Sequence, residues 1–185
     1  MKNKSVKFLL SLFDNSQYNE LAQSRAGHPM GAETKRGLNT MENKDIRWKQ
    51  RFQNFSRAFN LLRLVFDERN YTELNQLEQE GAIQRFEYTW ELAWKTAKDF
   101  LEYSGVSIPQ PAGSRNVIKE AATSFFEDAQ IDGAVFIEML ETRNELSHTY
   151  DFEKFKIALE KIQNNYLPQL EALHDFLVAR SVSDD

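Results

Sequence analysis

From Asp45 the chain places Trp48, Phe52, Phe55, Phe59, Leu62 and Phe66 four, three, four, three and four residues apart. That rhythm keeps returning to one face of a 3.6-residue turn, so it predicts an amphipathic helix with its stripe buried against other helices. A second stripe, Ile83, Phe86, Trp90, Ala93, Trp94, Ala97 and Leu101, predicts a long helix over residues 72–104, stopped by Gly105 with Pro109 and Pro111 beyond. Ser114 stands where it can cap a short helix reaching about residue 126. Asp132 can cap a fourth helix with Val135, Phe136, Met139, Leu140 and Leu146 on its apolar side. Asp151 can cap the last, which carries Phe152, Phe155, Leu159, Ile162, Tyr166, Leu170, Leu173 and Leu177. Pro168 lacks a backbone donor and is expected to kink that helix. No segment alternates with period two, and no unit of 20 to 50 residues repeats. The pattern therefore predicts an all-α fold: an antiparallel four-helix bundle with one additional short helix, its longest connection over residues 105–113.

Composition adds bounds to this picture. A chain of 185 residues, 41% hydrophobic and 12% aromatic, has material for one domain with a real core. It has no cysteine, which excludes disulfides and thiolate metal sites and fits a cytoplasmic setting. His28, His148 and His174 lie far apart and in no ligand spacing, so neither a metal nor another cofactor is expected. The apolar run from Val6 to Phe13 is broken by Lys7 and Ser11 and is far shorter than the roughly 20 residues of a membrane helix.

Residues 1–40 differ in kind: Gly27, Pro29, Gly31 and Gly37 interrupt a polar stretch without periodicity, which is read as a disordered extension. Lys2, Lys4 and Lys7 accompany the apolar run, but no small-residue cleavage site follows, so Met41 is read as the natural start rather than a secretion signal as the explanation. The expected organisation is an extension over 1–40, a bundle over 41–180 and a flexible tail over 181–185. From Met41 onward there are 17 positive and 25 negative side chains, a net of −8. Such a body does not favour an extended DNA- or RNA-binding groove, though a local RNA site remains open.

Chemistry concentrates in one octapeptide: Arg143, Asn144, Glu145, Leu146, Ser147, His148, Thr149 and Tyr150. Arginine grips phosphate oxygens with a planar fork, histidine exchanges protons near neutrality, and a phenol can donate a hydrogen bond or accept a nucleotidyl group. With three histidines and six tyrosines in the chain, chance produces the spacing Arg-x4-His-x-Tyr about 0.006 times, which favours a site over coincidence. On a continuous helix Phe136, Leu140, Arg143, Ser147 and Tyr150 share a face, so Arg143 interrupts an apolar stripe. A guanidinium there needs a structural partner or an anionic ligand. His148 points about 140° away from Arg143 on an unbroken helix, so convergence needs a fray or turn before Asp151, or a second copy of the motif across a two-fold axis. Cleaving RNA through its 2′-hydroxyl also asks for a base, an acid and positive charge, which two copies of Arg143 and His148 supply.

With those residues in view, the chain resembles the HEPN superfamily, whose signature Arg-x4-His-x-Tyr is met by Arg143, His148 and Tyr150. More closely it is similar to the HepT-like group, also called nucleotidyltransferase substrate-binding proteins, through that octapeptide and the stretch from Phe86 to Lys95 on the second helix. The resemblance runs from about Asp45 to Val178 and implies a helical-bundle homodimer paired with a cognate minimal nucleotidyltransferase. In toxin–antitoxin pairs of this kind the helical protein is a metal-independent ribonuclease toxin, silenced when the nucleotidyltransferase, its antitoxin, moves AMP onto the motif tyrosine. So read, Arg143 stabilises phosphate, His148 is the general acid and base, Tyr150 assists and accepts AMP, and Asn144 is auxiliary. The alternative is a non-catalytic substrate-binding subunit of a two-component nucleotidyltransferase, in which the motif only recognises phosphate or nucleotide.

Plainer roles are weighed beside these. Arg143 can be an ion-pair partner of Glu145 or Asp151, and His148 a cation at a helix C-terminus. Trp90 and Trp94 can stack a base, but their stripe positions favour core packing. Glu87 and Glu91 are expected on a solvated edge, with Glu91 and Lys95 as an i,i+4 pair. His28 and His174 are expected at the surface.

Overall fold

The stripes close on one another as helices α1 (Ala32–Phe66), α2 (Gln76–Tyr103), α3 (Ser114–Ser124), α4 (Gly133–Leu146), α5 (Phe152–Lys161) and α6 (Leu167–Val182), with a 3₁₀ turn at Tyr71–Glu73 and a π turn at Ile162–Tyr166. The structure is a computed structural model that describes residues 32–67, 69–146 and 151–182, with side chains from residue 43 onward. Residues Asn39–Asp185 form one compact unit. Among the described residues there is no strand, and no helix is long and apolar enough to cross a membrane. The extension expected over 1–40 lies largely outside the described residues, although α1 begins at Ala32, ahead of the apolar pattern.

Side-chain pairs give the helix directions. Arg47 bridges to Asp99, while Arg85 donates to the Leu61 carbonyl, so α1 and α2 run antiparallel. Glu138 meets Lys161 and Glu145 meets Lys154, so α4 and α5 are antiparallel as well. Phe86 stacks on Tyr166 and Phe100 meets Phe176 edge-on, which makes α2 parallel to the α5–α6 rod. The result is the up-down-up-down bundle that the periodicity predicts, with α3 as the short extra helix.

The core follows the stripes closely. Trp48, Phe55, Phe59 and Leu62 of α1 and Phe86, Trp90, Ala93 and Leu101 of α2 are all buried. Phe126 of the α3–α4 connection and Phe136 of α4 close over Trp90, with the Phe126–Phe136 and Phe136–Trp90 ring centroids 5.0 Å and 5.5 Å apart. Phe152, placed on the last stripe by spacing, is instead 40% exposed. It is the first residue after the Asp151 cap, too close to the helix end for another element to cover it.

Several helix ends differ from expectation for local reasons. Helix α2 starts at Gln76 rather than near Thr72, because Asn70 with Glu73 and Asn75 with Glu78 form two successive capping boxes that first close a 3₁₀ turn and then the helix. Gly113, not Ser114, is the N-cap of α3, and no side chain caps it. Asp132 and Asp151 cap as expected, accepting from the Ala134 and Glu153 amides at 2.8 Å and 3.0 Å. Gly105 ends α2 with φ +80°, where the Val106 and Gly105 amides donate back to the Leu101 and Glu102 carbonyls. At Pro168 the rod widens into a π turn: the Leu167 amide donates to Ile162, five residues back. Proline has no amide hydrogen for the i−4 carbonyl, so the widened turn lies immediately before it.

Candidate functional site

Arg143 and Asn144 lie in the last turn of α4. Phe136, Met139, Leu140 and Leu146 of that helix are buried, and Arg143 takes the stripe position between Leu140 and Leu146. It is half-buried, with its Nε shielded from solvent, while Asn144 is exposed and accepts from Arg143 Nη1 at 3.4 Å. A basic residue at this end also suits the negative end of the helix dipole. His148 and Tyr150, with Ser147 and Thr149, lie outside the described residues. The cap that follows is clear: Asp151 has extended backbone at φ −85°, ψ 113°, so α4 and α5 are separate helices and do not form one continuous rod.

Glu91 of α2 lies within the electrostatic reach of Arg143. Burial raises its carboxyl pKa, but hydrogen bonds from Lys95 and Trp94 and the charges of Lys95 and Arg143 outweigh this and hold it below the ordinary 4.5. Lys95 lies 2.7 Å and the Trp94 indole nitrogen 3.0 Å from Glu91. The i,i+4 pair expected from the sequence is therefore present, but its glutamate also feels the charge of the motif arginine. Of the two partners expected for Arg143, Glu145 is held by Lys154 at 2.7 Å and Asp151 accepts from the Glu153 amide as the cap of α5. The two tryptophans separate in role: Trp90 is fully buried, whereas Trp94 is half-buried with the Lys95 ammonium 5.6 Å from its ring centre. Glu87 is half-buried on the same helix.

His174 is not a surface residue. It is 7% exposed, stacked on Phe59 at 5.1 Å and flanked by Phe52 and Phe55. Its Nε2 lies 3.0 Å from Ser56 Oγ and its Nδ1 3.1 Å from Asp175 Oδ1. These are the atoms of a serine–histidine–aspartate relay, yet Ser56 is only 5% exposed beneath aromatic rings, so no substrate carbonyl reaches it and the arrangement is structural. The signal was available in the chain: Leu170, His174 and Leu177 are spaced four and three apart. Sequence reading also missed Asp99, 3% exposed between Arg51 at 2.8 Å and Arg47 at 3.2 Å. Burial pushes its carboxyl up from the ordinary 3.8, against the pull of Arg51 and Arg47. His28 lies outside the described residues.

Among the described residues no group of three or more histidine, aspartate or glutamate side chains could hold a metal ion. The arrangement places a partly desolvated guanidinium at a helix end, within electrostatic reach of the Glu91 carboxylate.

Comparison with known proteins gives this geometry its context. A search of curated proteins found no match. The fold resembles the crystal structure of a protein from Thermus thermophilus, with 25% identity, a TM-score of 0.51, and coverage of 69% of this chain and 98% of that one. The family described as "Nucleotidyltransferase substrate binding protein like" matches residues 50–179, which include every helix from the second half of α1 to α6 and the whole octapeptide. The chain belongs to this HEPN-like family of nucleotidyltransferase substrate-binding proteins.

Proposed function

We propose that this chain is the substrate-binding subunit of a two-component nucleotidyltransferase, with Arg143, His148 and Tyr150 as its anion-recognition cleft. Family membership across residues 50–179 carries this reading. The partly buried Arg143 supports it, because a guanidinium in an apolar stripe gains most from a bound phosphate that replaces lost hydration. In this role a catalytic nucleotidyltransferase docks on the bundle, Arg143 forks the phosphate, and Asn144 and Tyr150 add hydrogen bonds. The functional body is residues 41–180, acting in the cytoplasm as a homodimer that brings two motifs to one cleft.

A second reading is favoured by the spacing Arg-x4-His-x-Tyr itself. The chain would then be a HepT-type toxin that cleaves RNA without metal. One His148 takes the 2′-hydroxyl proton, the other protonates the leaving 5′-oxygen, and the arginines stabilise the phosphorane. AMP transfer to Tyr150 would silence it.

Co-expression with a minimal nucleotidyltransferase from the same genome tests both. The substrate-binding role expects a stable complex, faster nucleotide transfer onto a third molecule, and no RNA cleavage by the chain alone. RNA cleavage that disappears in both Arg143→Ala and His148→Ala, with AMP appearing on Tyr150 by mass spectrometry, would overturn it in favour of the toxin.

A further inference from the structure

A cavity of about 360 Å³ opens between the C-terminal half of α1 and the π turn of the α5–α6 rod. Helix α1 lines it with Phe59, Arg63 and Phe66, and Asp67 stands just past the helix end. The rod contributes Gln163, Leu167, Pro168 and Glu171. Phe59, Phe66 and Leu167 are buried and make apolar walls. Among the described residues Arg63 is the ion-pair partner of both carboxylates, 3.3 Å from Glu171 and 3.9 Å from Asp67. One cation between two anions leaves the cavity with negative charge in excess. The backbone adds a third acceptor. A helical carbonyl is paired by the amide four or five residues on. For Gln163 those positions are Leu167, whose amide donates to Ile162, and Pro168, which has no N–H. The Gln163 carbonyl therefore has no donor within the helix, and it belongs to the wall that Gln163, Leu167 and Pro168 form. The Gln163 side chain is engaged elsewhere, its Oε1 accepting from the Tyr71 amide at 2.9 Å.

We propose that this cavity binds the head group of a primary alkylammonium ion. An ammonium carries three donors and no acceptor, which matches the Asp67 and Glu171 carboxylates and the Gln163 carbonyl. Its alkyl stem lies along Leu167 and Pro168, and the ring of Phe66 adds attraction for the cation. The cavity already holds one cation against an aromatic wall, since the Arg63 guanidinium carbon is 5.9 Å from the Phe59 ring centre. Arg63 competes for the same carboxylates, but both of its pairs are half-exposed and one is long, so it yields them readily. Phosphate meets the opposite conditions here, excess negative charge and a carbonyl that only accepts, which separates this cavity from the anion cleft proposed at Arg143. None of the lining residues belongs to α4, the helix that carries Arg143, so the inference stands apart from the proposed function. It also gives the π turn a use: widening the helix directly before a proline bares a carbonyl, and such turns recur at functional sites.

The test is titration of the full chain with putrescine, N-acetyl-lysine methylamide and tetramethylammonium by calorimetry, with a methyl-labelled NMR signal on Leu167 as the local reporter. The first two carry the same head group on a free diamine and on a peptide-like side chain, and the tighter of them names the source. Tetramethylammonium keeps the charge but has no donors. At least one primary amine is expected to bind about tenfold tighter than tetramethylammonium and to shift the Leu167 signal. Glu171→Gln is expected to weaken that amine about tenfold, whereas Arg63→Met, which keeps an apolar stem and removes the competing cation, should strengthen it about threefold. Pro168→Ala supplies the missing donor, so the new amide at position 168 should exchange slowly with solvent and amine binding should fall about threefold. Amines no tighter than tetramethylammonium, or amine binding unchanged in both Glu171→Gln and Pro168→Ala, would overturn the site. A freely exchanging amide at position 168 would overturn the three-acceptor geometry on which it rests.

Discussion

Ser56→Ala is a small change whose cost follows from what it leaves behind. The Ser56 hydroxyl, 3.0 Å from His174 Nε2, is the hydrogen-bond partner recorded for that ring nitrogen, and both residues are buried among Phe52, Phe55 and Phe59. The other ring nitrogen has Asp175 at the solvent edge, so one polar atom is stranded and not two. Stranding a buried donor or acceptor costs about 1–3 kcal/mol, and the oxygen removed leaves too little space for a compensating water. We expect a loss of about 1.5–2 kcal/mol. With a urea slope of about 2 kcal/mol per molar for a domain of this size, the unfolding midpoint should fall by nearly 1 M. Urea titrations followed by circular dichroism in the far ultraviolet measure this directly. In the cycle with His174→Leu, the double variant should recover about 1 kcal/mol relative to the sum of the singles, because no polar atom is then stranded. A Ser56→Ala midpoint within about 0.2 M of wild type, or strictly additive effects, would refute the claim that this pair is a coupled buried unit.

Two further outcomes probe the site's electrostatics and a helix end. Glu91 has a carboxyl pKa held below 4.5, so in the folded state it contributes stability that is present above that value and lost as pH falls through its depressed folded value. The stability gap between wild type and Glu91→Gln should accordingly narrow on acidification from neutral pH, and a gap that widens would contradict the assigned direction. Gly105→Ala forces a side chain into φ +80° and should cost about 1–2 kcal/mol, read as a lowered melting temperature with no change in helix content.

Much of this architecture was legible in the chain because amphipathic helices bury whatever lies on a 3.6-residue stripe. Trp48 to Phe66 and Ile83 to Leu101 are such stripes, and they pack almost residue for residue as the spacing implies. The caps at Asp132 and Asp151 were equally legible, since a short acceptor side chain before an apolar run satisfies local amides without help from elsewhere. Local chemistry also explains where the boundaries moved: two Asn-x-x-Glu boxes shift α2 to Gln76, and Pro168 yields a π turn in place of a simple kink.

What periodicity by itself determined, then, is the set of helices, their apolar faces and the place of Arg143 at the end of one of them. What only the tertiary structure decided is which polar side chains meet across helices. His174 reads as an isolated polar residue until α1 brings Ser56 and three phenylalanines around it. Glu91 reads as a surface partner of Lys95 until α4 brings the charge of Arg143 within reach of it. Lys154 and Lys161 read as a solvated face until α4 lies beside them with Glu145 and Glu138. Hydrophobic burial is roughly proportional to area and needs no particular partner, so it leaves a periodic trace in one dimension. Hydrogen bonds and ion pairs depend on distance and direction between residues far apart in sequence, and those are set only when the bundle closes.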